Sequence, residues 1–170
     1  MHKRIFIFII IAGSFLAGFG LNAILHPQPA DPVLKRVTGV GGIFFKSQHP
    51  KKLKAWYRDH LGLQIDQYGT TFEWRLATDS TKKGFTQWAA FNDSTKYFSP
   101  SVKDFMINYR VADLRSLLIE LKKEQVTIVD TIEEYDYGKF LHIMDEEGNK
   151  IELWEPVDKV YDQYAGGRTK

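Results

Sequence analysis

Hydrophobic positions follow two spacings after residue 36, and these spacings predict a chain of alternating strands and helices. Apolar residues three and four positions apart predict one helix from Pro50 to Leu61 and a second around Leu114 to Leu121. Runs rich in β-branched and aromatic residues predict the strands. The predicted strands are 37–45, 71–76, 85–91, 105–111, 126–132, 139–144 and 150–154. The pattern indicates an α+β fold.

The two halves of this region repeat the same order of elements. A shift of 64 positions places Ile43 on Ile107 and Leu53 on Leu117. We therefore predict two βαβββ modules, and a meander without internal repeat is the alternative. The modules cover about 37–98 and 104–156, within a domain of 37–158 that is followed by a tail, 159–170, frayed from Ala165 onward.

The N-terminal region has a different pattern. Lys3 and Arg4 precede an uncharged run, Ile5 to Leu25, which as a helix is long enough to cross a hydrocarbon core of ~30 Å. Basic residues before such a run favour a cytoplasmic N-terminus, so the domain is expected on the extracytoplasmic side as a membrane-anchored protein. Residues 1–25 are thus interpreted as a signal anchor that contacts the membrane through residues 5–25, and residues 26–36 as a Pro-rich linker. The alternatives are a cleaved signal peptide, which would leave the domain secreted or periplasmic, and a buried helix.

The composition excludes several classes of function. The formal net charge is +2, from 23 basic and 21 acidic residues, which is too balanced to indicate a nucleic-acid partner. The chain has no cysteine, which excludes disulfides, thiolate metal sites and thiol catalysis. Aromatic residues make up 14% of the chain, enough for a lined pocket.

Two short motifs carry a resemblance to a known superfamily. The segment from Trp56 to Leu63 resembles the "FY.d.LGl" signature of the vicinal oxygen chelate superfamily, the glyoxalase, bleomycin-resistance and extradiol-dioxygenase group. The segment from Asp145 to Glu155 resembles its closing "DP.GN.iEl.e" hairpin, with Glu146 in place of the usual proline. The resemblance implies that the two βαβββ modules form a half-open barrel around a shared pocket. It also implies a possible homodimer, since many relatives are dimers.

The resemblance places four metal-ligand positions in this sequence. They fall on Gly42, Met106, Glu152 and a position at Trp88 or its neighbours Gln87 and Ala89. Glycine offers no side-chain ligand and a thioether is a poor ligand for hard divalent ions, so only Glu152 remains. We therefore expect no metal cofactor. A rebuilt site that combines Glu152 with His142 and Gln87 is the alternative.

Strand alternation predicts which side chains face the pocket. Glu152 and His142 are predicted to face each other on the last two strands, where they are the candidate catalytic residues and could act as a general base pair. The alternative is a structural role for Glu152, paired with His142 or Arg110. The predicted inward set is Met106, Asn108, Arg110, Phe140, His142, Glu152 and Trp154.

Other side chains are candidates for ligand binding, each with a structural alternative. Arg75 and Arg110 can hold an anion through the guanidinium group, or can pair with a protein carboxylate such as Glu73. Trp88 and Trp154 can stack on a planar ligand or belong to the core. Tyr135 and Tyr137, in the acidic loop 133–139, are expected at the pocket rim or in a plain solvated loop.

Three functions follow as hypotheses. The first is a membrane-tethered or exported domain that binds a small molecule without metal. The second is an enzyme of the glyoxalase or dioxygenase type, a lyase or isomerase, that uses Glu152. The third is a non-catalytic interaction module. Fold resemblance alone does not choose between them.

Overall fold

The structure is a computed structural model that describes residues 36–169. The predicted signal anchor and most of the linker lie outside these residues. Within residues 36–169, none of the helices combines the length and the apolar character needed to cross a membrane.

Residues 36–169 form one mixed sheet with three helices, which confirms the predicted α+β class. The strand order across the sheet is β5-β7-β8-β4-β1-β3-β2-β9, and β6 pairs with β7. The elements in chain order are β1 Val37–Ser47, α1 Pro50–Leu61, β2 Thr70–Leu76, β3 Asp79–Asn92, β4 Phe105–Val111, α2 Leu114–Lys123, β5 Thr127–Ile128, β6 Glu133–Tyr135, β7 Gly138–Met144, β8 Lys150–Pro156, α3 Asp158–Tyr164 and β9 Arg168–Thr169.

The two halves of the internal repeat meet at the centre of this sheet. Strands β1 and β4 are antiparallel neighbours, and Ile43 lies opposite Ile107, the residue 64 positions later. Strand β3 then runs parallel to β1, as β8 runs parallel to β4. The two modules are therefore related by an approximate two-fold axis through the Ile43–Ile107 pair.

The first module differs from the predicted βαβββ order. Only β2 and β3 follow α1 within it, and residues 63–68 form no strand. The outer edge of β2 is instead paired by β9, with Thr71 opposite Arg168 and Phe72 opposite Thr169. Within the expected tail, 159–170, the described residues up to 169 are ordered differently from the expectation: α3 and β9 pack back onto the first module, because an unpaired strand edge offers backbone hydrogen-bonding groups to any nearby segment.

The helices α1 and α2 begin and end where local chemistry favours it. Pro50 opens α1 and Gly62 closes it with φ +70, a left-handed conformation that glycine adopts without strain. Asp113 caps α2 by accepting a hydrogen bond from the Ser116 backbone N–H at 2.9 Å. Leu114, Leu117 and Leu121 of α2 pack on Val111, Leu141, Ile143 and Leu153 of the second module. This core leaves the opposite face of the sheet free to form a site.

The glycines of β1 allow unusually close packing on that opposite face. A Cβ added to Gly41 would lie 2.1 Å from the Asn108 side-chain oxygen and 2.8 Å from the Trp154 ring. The register of β1 against β4 also shifts between Val40 and Gly42. The strand therefore approaches Asn108 and Trp154 more closely than a residue with a Cβ would allow.

Candidate functional site

The strand register gathers polar and aromatic side chains on one face of the sheet. Phe44 lies opposite Met106 on β4 and Ala89 on β3. Glu152 lies opposite Asn108 on β4 and His142 on β7. Because directly opposed residues point to the same side of a sheet, these groups share a concave face.

A hydrogen-bonded group, here called the polar cluster, forms around the buried Glu152 in the second module. Its members are Tyr97, Asn108, Asp130, His142 and Glu152. Only 2% of Glu152 is exposed. Its carboxylate accepts hydrogen bonds from the Tyr97 hydroxyl and, at 2.7 Å, from the Asn108 amide, and lies 3.3 Å from His142 Nε2. Three donors in a buried site compensate the carboxylate for the water it has lost.

His142 links Glu152 to a second carboxylate. Its Nδ1 lies 2.6 Å from Asp130 Oδ2, and its backbone N–H donates to Asp130 Oδ1 at 2.8 Å. Burial is the largest influence on the pKa of His142 and lowers it, but the hydrogen bond and charge of Glu152 and the hydrogen bond of Asp130 together raise that pKa above 6.5. An imidazolium with two N–H donors between two carboxylates suits this arrangement. Asp130 lies where the predicted strand 126–132 is interrupted, between β5 and β6.

Beside the polar cluster, a cavity of about 560 Å³ opens on the concave face of the first module; we call it the tyrosine cavity. Half of the residues in its wall are aromatic, and Thr71, Gln87 and Ala89 of the sheet contribute to the remainder. A volume of this size suits a small organic molecule. The aromatic lining residues are Phe44, Tyr68, Phe91, Tyr97, Tyr137, Tyr161 and Tyr164.

The C-terminal helix α3 closes one side of the tyrosine cavity. Tyr161 packs against Trp154 with ring centroids 4.9 Å apart, and its hydroxyl donates to Gln87 Oε1 at 3.1 Å. Tyr164 donates to Asp136 Oδ2 at 2.5 Å. Ala165 and Gly166 complete this wall. Residues that the sequence pattern assigned to a tail therefore belong to the candidate site.

Tyr97 belongs to both the cavity and the polar cluster. Its ring lines the cavity and stacks on Phe91 with centroids 5.6 Å apart, while its hydroxyl binds Glu152. Burial, reinforced by the negative charge of Glu152, strongly raises the pKa of the Tyr97 hydroxyl, so it stays protonated and can donate. Glu152 itself is not among the residues that line the cavity. Tyr97 is therefore the contact through which a bound molecule can affect Glu152.

Arg110 is held by the protein itself. The residue is 3% exposed, and its guanidinium lies 5.4 Å from the centroid of Trp74 and 5.2 Å from that of Trp154. Its Nη2 donates to Asp158 Oδ2 at 2.6 Å. Arg110 was predicted to bind an anionic ligand or to pair with a protein carboxylate, and the structure shows the protein carboxylate. The partner is Asp158 and not the expected Glu152.

Three other predicted ligand-binding residues lie away from the cavity. Arg75 lies on the exposed β2–β3 hairpin, 3.5 Å from Glu73. Trp88 points to the opposite face of β3, where it packs on Phe45 and Tyr57. Trp154 is 2% exposed and is covered by rings of Phe140 and Tyr161.

The predicted rim loop splits its two tyrosines between different surroundings. Tyr137 lines the cavity. Tyr135 is half exposed and stacks on Tyr137 with centroids 5.4 Å apart. His142, Asn108 and Glu152 come together in the polar cluster, as the strand alternation predicts, but none of the seven residues predicted to face the pocket is among those that line the tyrosine cavity.

At two of the positions that the resemblance assigns to metal ligands, the side chains offer no suitable donor. Gly42 brings no donor, and Met106 is buried in an apolar cluster with Phe44 and Phe98. Ala89, opposite Phe44, is also apolar. Among residues 36–169, no group of three or more His, Asp and Glu side chains is arranged to hold a metal ion. A rebuilt metal site that includes Glu152 stays a prediction.

Several site residues carried no recognised sequence signal. Tyr97 follows β3 in a connection without periodicity, so no pattern indicated its orientation. Tyr161 and Tyr164 are three positions apart, a spacing that places both on one helix face and could have identified α3. Asp158 stands at the first position of that helix, where acidic residues are favoured.

Solved structures of other proteins are similar to this chain. Methylmalonyl-CoA epimerase from Mycobacterium tuberculosis is 20% identical with a TM-score of 0.51, over 79% of this chain and 97% of that one. A Streptomyces coelicolor methylmalonyl-CoA epimerase in complex with 2-nitronate-propionyl-CoA is 12% identical with a TM-score of 0.53, over 71% of this chain and 99% of that one. A glyoxalase/bleomycin resistance protein/dioxygenase superfamily member from Vibrio splendidus is 11% identical with a TM-score of 0.46, over 68% and 97%.

The chain therefore has the vicinal oxygen chelate fold, in agreement with the two sequence motifs. No protein-family model and no curated protein matches its sequence. At these identities the likeness establishes the fold, and the chemistry has to be argued from the residues of the site.

Proposed function

We propose that this domain binds a small organic molecule in the tyrosine cavity, without a divalent metal. The observation that carries the proposal is the cavity itself, about 560 Å³, with aromatic side chains at half of its lining residues and a few polar groups. Such a composition is typical of small-molecule sites. Gly42 has no side-chain ligand and the Met106 thioether is a poor ligand for a hard divalent ion, which supports binding without a metal.

A ligand-observed NMR screen of the purified full-length chain against neutral, cationic and anionic fragments tests this proposal. Ala165, in the cavity wall, is replaced by tryptophan to fill the space, and Ala77→Trp on the exposed β2–β3 turn is the matched control. We expect fragments that bind the wild type and Ala77→Trp but not Ala165→Trp. Fragments that bind all three proteins equally, or no fragment at all, would count against the cavity as a binding site.

Elemental mass spectrometry tests the metal-free part of the proposal. The full-length chain is purified without chelator and without a histidine tag, and then offered iron, manganese, nickel and zinc. We expect less than a tenth of an equivalent of each. Near-stoichiometric metal that Glu152→Gln abolishes would establish a rebuilt site around Glu152 and contradict the proposal.

Proton transfer is the second candidate function, favoured by one specific observation. Asp130, His142 and Glu152 form a continuous hydrogen-bonded chain that ends at Tyr97 on the cavity wall. Such a chain can hold a proton near a ligand, as general acid–base catalysis requires.

Deuterium incorporation into methylmalonyl-CoA in D₂O, compared between the wild type and Glu152→Gln, is a direct test. Incorporation that depends on Glu152 would favour an epimerase or isomerase over a binding protein.

We also propose that residues 5–25 tether the domain to a membrane with the folded part extracytoplasmic, on the support of the uncharged run and its preceding basic residues. Membrane flotation of the full-length chain and of a chain that begins at residue 31 tests this proposal. Co-flotation of both forms, or of neither, would contradict it. Homodimer formation stays a prediction.

A further inference from the structure

The charge distribution of the tyrosine cavity restricts the ligands that it can accept. Among the residues that line it, one carries a formal charge at neutral pH, Asp66, and none is a lysine or an arginine. Asp66 is fixed in position, since its Oδ1 accepts hydrogen bonds from the backbone N–H groups of Tyr68 at 2.7 Å and Gly69 at 3.0 Å. Its Oδ2 lies next to Gly166 in the opposite wall.

Tyrosine rings add to this negative potential. The face of an aromatic ring carries partial negative charge and attracts cations within about 6 Å of its centroid. Five tyrosines line this one cavity, two of them, Tyr161 and Tyr164, from α3. Rings that converge from several sides form a cage that suits an alkylammonium group.

Further carboxylates lie directly behind the tyrosines. Asp136 binds the hydroxyl of Tyr164, and Glu152 binds the hydroxyl of Tyr97. Both carboxylates accept a hydrogen bond from the phenol, so each phenol oxygen keeps its lone pairs and its ring remains electron-rich. The negative charges of Glu152, Glu133 and Asp136 also contribute to a raised pKa of the Tyr137 hydroxyl, after the effect of burial.

The nearby cations are held outside the cavity. Arg110 is paired with Asp158 at 2.6 Å. Lys150 donates to the backbone carbonyl of Tyr97 at 2.7 Å, with its ammonium 5.2 Å from the centroid of the same ring. Lys150 does not line the cavity, but its position shows that the Tyr97 ring already accepts a cation on one side.

We propose that the tyrosine cavity selects an organic cation, such as a quaternary ammonium or a protonated amine, over neutral and anionic molecules of the same size. The inference rests on the proposed function and names its ligand class. It also implies that a ligand with several phosphate groups, such as a CoA ester, is disfavoured, because no lining residue among those described offsets the repulsion from Asp66.

Isothermal titration of the full-length chain with three probes of similar size tests the selection. The probes are benzyltrimethylammonium, neutral benzyl alcohol and anionic phenylacetate. We expect benzyltrimethylammonium to bind at least tenfold more tightly than benzyl alcohol, and phenylacetate not to bind. Equal or tighter binding of either of the other probes would overturn the inference.

Two variant pairs locate the effect within the cavity. Asp66→Asn preserves the hydrogen-bond acceptor and is expected to weaken cation binding at least fivefold, while Asp104→Asn, which removes an exposed carboxylate elsewhere, leaves it unchanged. Tyr68 is 72% exposed, so its replacement does not disturb the core. We expect Tyr68→Leu to weaken cation binding at least threefold and Tyr68→Phe to retain it. An unchanged affinity in both Asp66→Asn and Tyr68→Leu would contradict the inference.

The outcomes also separate this inference from the proposed function. A neutral or anionic fragment that binds in the cavity, as judged by its loss in Ala165→Trp, would refute the selection of cations but retain the binding function. Failure of every fragment and of all three probes would refute both.

Discussion

The hydroxyl of Tyr97 donates a hydrogen bond to the carboxylate of Glu152, while the Tyr97 ring lies in the wall of the neighbouring cavity. One side chain thus satisfies a buried charge and contacts the space in which a ligand would bind. We expect Tyr97→Phe to lower the free energy of unfolding by roughly 1 to 2 kcal/mol, because Glu152 loses one of its donors. Urea denaturation measures this value. Tyr68→Phe, with no such contact, serves as control, and an equal loss in both variants would disagree with the assigned role.

The stability of the domain should depend on pH through His142. Its pKa in the folded protein is raised above 6.5, because Glu152 and Asp130 together outweigh the effect of burial. A raised pKa means that protonation stabilises the fold. This contribution is fully present below pH 6.5 and is lost as the pH rises through the folded-state pKa.

Urea denaturation between pH 5.5 and 9 measures this dependence. The free energy of unfolding should fall over this range more in the wild type than in His142→Gln. An NMR titration should also show a lower pKa of His142 in Asp130→Asn, since one of the two carboxylates is then neutral. Parallel pH profiles for the wild type and His142→Gln would be incompatible with this interpretation.

The ion pair between Arg110 and Asp158 should contribute more than the surface ion pairs do. The Arg110 side chain is 4% exposed and that of Asp158 is 32% exposed. Asp158→Asn leaves a buried guanidinium without its partner charge, and we expect a loss of about 1 to 3 kcal/mol. The exposed pair of Arg115 and Glu134 provides the control, because Glu134→Gln should cost less than about 0.5 kcal/mol. Thermal and urea unfolding compare the two variants, and similar costs would show that Asp158 does not stabilise Arg110.

Gly41 should be essential for the packing of Asn108 against Glu152. An added methyl group at Gly41 would lie 2.1 Å from the Asn108 oxygen and 2.8 Å from Trp154, so Gly41→Ala forces both side chains to move. We expect a cost of about 2 to 3 kcal/mol. In an Asn108→Ala background the same replacement should cost less, because the closest contact is gone. Additive costs in this double-mutant cycle would show that Asn108 is not the group displaced.

The sequence predicted the parts of the fold that depend on local periodicity. The helix from Pro50 to Leu61 has the bounds that its apolar spacing indicated, and Ile43 and Ile107, superimposed by the internal repeat, face each other in the sheet. The meeting of Glu152 with His142 also follows from strand alternation, since both lie on neighbouring strands of one hairpin.

The remaining features depend on contacts between distant parts of the chain. β9 has only two residues, and it forms because the edge of β2 is unpaired, which no pattern near Arg168 reveals. Tyr97 reaches Glu152 from an irregular connection, 55 positions away in sequence. Arg110 pairs with Asp158 and not with the expected Glu152, because α3 folds back over the sheet. The sequence pattern did not indicate that α3 would pack there.

The placement of Tyr161 and Tyr164 in the cavity wall has a consequence for biosynthesis. Domains generally begin to fold from the N-terminal side as the chain is synthesised. Here the first module depends on residues 158–169, both for its cavity and for the strand that pairs with β2. The binding-competent state therefore requires that residues 158–169 have left the ribosome, and a translation product that stops before them would contain every residue of the first module and still lack the cavity wall that Tyr161 and Tyr164 form.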